Sequence, residues 1–83
     1  MAVVTYYVAL SFLRNDKGSP VAGEGEELQS PSAAIRRAES LSKVAGNIGA
    51  VAFSRTGDPS IGEFNDAVVL RKFGDVPDDL SGL

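Results

Sequence analysis

AVVTYYVALSFL, residues 2–13, is the stretch on which the fold turns. Its even positions, Ala2, Val4, Tyr6, Val8, Leu10 and Phe12, are all apolar or aromatic, whereas the odd positions mix Val3, Tyr7, Ala9 and Leu13 with Thr5 and Ser11. That period of two belongs to a β-strand with one fully buried face, and it predicts that the even positions point into the core. Arg14-Asn15-Asp16-Lys17-Gly18 follows with turn chemistry: Asn and Asp tolerate left-handed backbone and Gly accepts positive φ. Residues 21–29 then return as the second arm of a hairpin. Glu24, Glu26 and Glu27, interleaved with Gly23 and Gly25, mark that arm as an edge strand, because charges there discourage pairing with another chain.

Ser30-Pro31 opens a helix. A Ser oxygen can accept an orphan N–H at the N-cap, and Pro at the first helical position has no N–H to lose. Gly46 is the expected left-handed C-cap. At 100° per residue, Ala34, Ala38, Leu41 and Ala45 fall on one stripe flanked by Ile35 and Val44, while Ser32, Arg36, Glu39, Ser40 and Lys43 face away. A stripe made mostly of alanine lets a helix approach a sheet closely, with Leu41 as its main knob.

Residues 47–55 (NIGAVAFSR) and 64–73 (FNDAVVLRKF) are nearly continuous apolar runs of strand length, expected as central strands. The loop formers of 56–63 (TGDPSIGE) join them as a second hairpin. The order is therefore ββαββ: an α+β domain over residues 1–74, a four-stranded antiparallel sheet with one helix packed on one face. Residues 75–83 are expected to form an acidic, loosely ordered tail.

The chain has 83 residues and a net charge of −3 from 8 basic and 11 acidic side chains, and it contains no Cys, His or Trp. A domain of this size buries roughly 60% of its unfolded surface and is stable by about 4 to 12 kcal/mol. Lacking Cys and His, it has no disulfide, thiolate nucleophile, imidazole base or conventional zinc site, so no cofactor is expected. Asp58, Glu63 and Asp66 are the candidate carboxylates for a hard cation or for acid–base work. Their spacing departs from the calcium-loop pattern, and Asp58 reads more simply as a turn residue. The run 2–13 lacks the basic flank and cleavage pattern of a signal peptide and is too short to span a bilayer, which gives a cytoplasmic protein without membrane association as the expectation.

YYVALSF, residues 6–12, resembles the first strand of bacterial SPOR domains, which bind peptidoglycan. Ala9 and Ser11 stand where that family usually has Gln and Gly, and the second helix is missing, so the reading is rejected. SPSAAIRRAESL (30–41), GAVAFSRTGDPSIGEF (49–64) and DAVVLRKFGDVPDDL (66–80) resemble a group of short, uncharacterised alphaproteobacterial proteins. That resemblance brings no activity or site with it.

A single helix covers only one face of a sheet. With the even face under the helix, Val3, Tyr7, Ala9 and Leu13 would lie together on the open one, an apolar patch of the kind that marks a partner site or a dimer interface. The expected function is thus a non-catalytic protein–protein interaction module, binding a protein partner or forming a homodimer through that face or through an edge strand. The rival is a nucleic-acid-associated regulator using the helix cations Arg36, Arg37 and Lys43. The negative net charge and the lack of an RNA-binding aromatic strand argue against nucleic acid.

Overall fold

A computed structural model describes residues 3–77 and bears out the α+β class. Strands β1 (Val4–Arg14) and β2 (Pro20–Leu28) form the first hairpin, helix α1 (Pro31–Ser42) crosses over, and β3 (Gly49–Asp58) returns antiparallel to β1. Two short strands, β4 (Glu63–Phe64) and β5 (Val68–Gly74), lie end to end along the other side of β3. The sheet order is β2-β1-β3, with β4 and β5 sharing the fourth place.

Local chemistry explains the punctuation. Asn15 Oδ1 accepts from the backbone N–H of Lys17 (2.9 Å) and Ser19 (3.0 Å), and Gly18 takes φ +78°, which together tighten the first turn. Ser30 Oγ accepts from the N–H of Ala33 at 3.1 Å, with Pro31 behind it, so the helix starts where its cap dictates. It ends earlier than Gly46 suggests. Lys43 and Val44 donate to the carbonyls of Ser40 and Leu41 in a tightened last turn, and Asn47 Nδ2 donates to Leu41 O at 2.8 Å. The carbonyls are thereby satisfied at Ser42, and Val44 and Ala45 lie beyond the helix, exposed.

The largest correction concerns the face that the helix covers. Ala34 and Ala38 pack on Ala9, Ala50 and Ala52, all 0% exposed, with Tyr7, Leu28, Ile35, Leu41, Leu70 and Phe73 around them. Because Ala9 pairs with Ala52, the helix lies on the odd face of β1. The even face builds a second apolar cluster from Leu10, Phe12, Val51 and Phe53, flanked by Val8, Ile48, Ala67 and Val76. Both faces of the sheet are core, and they divide by size. A helix backed by alanine seats closely only where the sheet also presents alanine, so the bulky residues collect on the opposite side.

Two further expectations change. The run 64–73 is an edge rather than a central strand, with Val68 and Val69 exposed, since no strand lies beyond it among the described residues. Strand β3 continues to Asp58, three residues into the stretch read as loop. Beyond β5 the chain remains attached. Gly74 at φ +71° turns it, Asp75 N donates to Ile48 O at 2.9 Å, Arg14 bridges Asp75 at 3.2 Å, and Val76 packs on the even-face cluster. A Cβ on Gly49 would fall 2.5 Å from Asp75 O and 2.6 Å from Phe73 O, so this close crossing requires glycine. The domain therefore runs past residue 74. Of the expected tail, residues 78–83 lie outside the described residues.

Candidate functional site

The four residues read from the sequence as an open interface do not form one. Ala9 is under the helix and Tyr7 packs against the helix-side cluster, while Val3 is exposed near the far end of β1. Leu13 lines a separate recess at the end of the helix, with Ser11, Gly23, Leu41 and Asn47. The physical reason is the exchanged face: odd positions of β1 lie beneath α1.

The uncovered apolar surface is therefore the even face, and only half of it is open. Towards Phe12 the cluster is closed, with Val51 at 0% exposure. Towards Tyr6 it opens into a recess of about 340 Å³ lined by Tyr6, Val8, Phe53, Arg55 and Phe64. Register puts these side chains together: Val8 pairs with Phe53 and Tyr6 with Arg55 across β1 and β3, and Phe64 pairs with Gly57 from β4. Gly57 presents no side chain, which leaves the ring of Phe64 free to meet Tyr6, their centroids 5.9 Å apart at 44°. Phe64 remains 41% exposed, and Val69, paired with Phe53 on the same face, is 39% exposed.

Arg55 supplies the charged edge of this recess. Arg55 Nε donates to Asn65 O at 3.2 Å, which holds the guanidinium over the break between β4 and β5. Thr5 and Thr56 share a 2.9 Å hydroxyl hydrogen bond on the opposite face. Sequence reasoning missed the Tyr6–Phe64 pair because it fixed the helix on the wrong side. The signal that locates it is the match of Ala34 and Ala38 to Ala9, Ala50 and Ala52.

The remaining candidates stay apart. Asp58 Oδ1 accepts from Ser60 N (3.0 Å) and Ser60 Oγ (2.6 Å), so this carboxylate shapes the hairpin turn. Glu63 and Asp66 are exposed, and among the described residues no group of three acidic side chains comes together that could hold a metal ion. On the helix, Arg37 Nε is engaged by Glu26 Oε2, leaving Arg36 and Lys43 exposed. No helix among the described residues is long and apolar enough to cross a membrane. Neither a family model nor a curated protein nor a solved structure matches the chain. Fold and site together define a small α+β domain with one helix-covered face and one partly open aromatic face.

Proposed function

We propose that this protein is a non-catalytic protein–protein interaction module that docks through the open half of its even face. The observation that supports the reading is the recess of Tyr6, Val8, Phe53 and Phe64, apolar and aromatic, with Arg55 at its edge. Tyrosine and phenylalanine in such a setting provide large contact area, and a tyrosine hydroxyl stays wet at the rim. Asp58, one of the candidate carboxylates, is committed to its turn.

Phe64→Glu tests the reading. The side chain is already part-exposed, so the fold should persist by circular dichroism, while material retained by the immobilised protein should drop at least tenfold, as expected when an aromatic anchor is lost and a charge is desolvated. Retention equal to that of the wild type would overturn it. The helix cations offer little competition, because Arg37 is paired with Glu26 and the net charge is negative. Fluorescence anisotropy with random duplex DNA at physiological salt is expected to show no binding. Micromolar binding lost on replacing Arg36, Arg37 and Lys43 with alanine would favour the nucleic-acid reading instead.

A further inference from the structure

Ser11 stands at an irregularity in the first hairpin. Leu10 pairs with Gly25 and Phe12 with Ala22, so Gly23 and Glu24 on β2 together oppose the single residue Ser11 on β1, a bulge of the kind that re-aims side chains. Both residues border the recess at the end of α1, whose volume of about 420 Å³ falls in the range of roughly 300 to 1,000 Å³ usual for small-molecule sites. The space exists because Gly23 has no side chain: a Cβ there would fall 2.5 Å from Ser11 Oγ and 2.8 Å from Leu13 Cδ1. Gly23 does not take a positive φ, so room is what this glycine supplies. Ser11 is only 7% exposed, and its hydroxyl makes no hydrogen bond among the described residues. Every fully buried side-chain oxygen or nitrogen among those residues has a partner, so this hydroxyl is not sealed in and opens to the recess that Ser11 lines.

The other groups around the recess share one chemical preference. Asn47 commits its amide nitrogen to Leu41 O, which leaves Oδ1 as an acceptor. Glu24 is exposed and has no ion-pair partner among the described residues. Glu26 engages Arg37, the cation among the lining residues, so the recess keeps a net negative charge. Leu13 and Leu41 add apolar wall. We propose that this recess binds a primary alkylammonium group, with its aliphatic stem on Leu13 and Leu41 and its nitrogen donating to Ser11 Oγ, Asn47 Oδ1 and the Glu24 carboxylate. The three N–H donors of an ammonium meet three acceptor groups, and hydrogen bonds from a charged donor are the strong ones. A carboxylate or phosphate would find a single guanidinium that Glu26 already neutralises. A wholly apolar ligand would leave the Ser11 hydroxyl buried without a partner. A free amine and the lysine side chain of a peptide present the same group, and both are charged at neutral pH. The site lies on the helix-covered side of the sheet and does not rest on the docking reading above.

Backbone amide chemical shifts of the full chain, titrated with pentylammonium chloride, Nα-acetyl-lysine methylamide and pentan-1-ol, test the site. Pentylammonium should move the amides of residues 23–26 and Asn47 with a dissociation constant of about 1 mM, the scale for a ligand of so few atoms. Pentan-1-ol, which lacks the charge, should bind at least tenfold more weakly. Ser11→Ala removes a hydroxyl that has no partner to lose in the free protein, so the thermal midpoint should not fall while ammonium affinity drops at least tenfold. Glu24→Gln, at an exposed position that folding does not depend on, should weaken binding about threefold. Gly23→Ala should abolish it by filling the floor of the recess, and Phe64→Glu, on the other face, should leave it unchanged. Binding of the lysine derivative as tight as that of pentylammonium assigns the group to a peptide side chain, and its exclusion while pentylammonium binds assigns it to a free amine. Either result supports the site. No shifts with either amine, pentan-1-ol binding as tightly as pentylammonium, or an affinity unmoved by both Ser11→Ala and Glu24→Gln overturns the proposal.

Discussion

Phe12→Ala is expected to lower stability by about 3 to 5 kcal/mol, a large part of the roughly 4 to 12 kcal/mol available to a domain of this size. Phe12 is only 4% exposed and packs with Leu10, Val51 and Phe53 on the face without the helix. Its backbone carbonyl accepts from Ile48 N at 2.8 Å, so the strand position is fixed and cannot easily close over the space a missing ring leaves. At this size each kcal/mol is worth roughly 4 to 8 °C, so the midpoint of thermal unfolding should fall by about 12 °C or more. Leu41→Ala provides the comparison. That side chain is half-buried at the end of the helix, and its truncation should cost about 1 to 2 kcal/mol, near the transfer free energy of part of a side chain. Denaturant titrations decide the matter. If Phe12→Ala costs no more than Leu41→Ala, the even face is not a core in its own right.

The contrast between those two residues shows what the sequence could reveal and what it could not. Alternation in residues 2–13 identifies a strand and says which positions are bulky, but bulk does not say which layer covers them. The natural inference, that the bulkiest face meets the helix, fails here because the sheet has two buried faces and the helix brings only alanine to its own. Steric fit, a property of pairs of elements, decided the side. The local signals were read correctly where they act within a few residues, as with Ser30-Pro31 at the helix start and Asn15 with Gly18 in the turn. Gly46 was misleading because Asn47 and the tightened turn had already satisfied the helix end. The run Val68-Val69-Leu70 looked like a central strand because it is apolar throughout. In fact an irregularity in its register with β3, between Ala52 and Phe53, lets Val69 share a face with Phe53 while Leu70 joins Phe73 beneath the helix. One extra residue in an edge strand thus put apolar side chains on both faces. The candidate interface inherited the error in full, since Val3, Tyr7, Ala9 and Leu13 were chosen by face. With the face exchanged, the uncovered apolar surface is the recess of Tyr6, Val8 and Phe64, with Phe53 at its floor.

Ala38→Leu is expected to cost about 3 kcal/mol, and it tests the alanine layer directly. Ala38 is 0% exposed, and its methyl group packs with Ala9, Ala50 and Ala52, themselves 0% exposed. A leucine adds three carbons where nothing can yield by rotation, because alanine has no side-chain rotamers to change. The helix must therefore lift or slide, which thins the contacts that Ile35 and Leu41 make with the sheet, and overpacking of this kind costs about 1 to 3 kcal/mol and occasionally more. Helix propensity does not confound the measurement, since leucine is nearly as favourable as alanine in a helix interior. Ser40→Leu, on the exposed side of the same helix, supplies the control and should stay within about 0.5 kcal/mol of wild type. The two single variants separate the two faces of the helix, and the comparison with Phe12→Ala separates the two faces of the sheet. A cavity on the even face should leave the helix in place, so Phe12→Ala lowers stability without disturbing the alanine contacts. A leucine at 38 should loosen the helix itself, and hydrogen exchange in α1 should quicken relative to β1 and β3. Slower or unchanged exchange in α1, together with a cost near that of Ser40→Leu, would mean that leucine fits under the helix and that the alanines do not set its distance from the sheet.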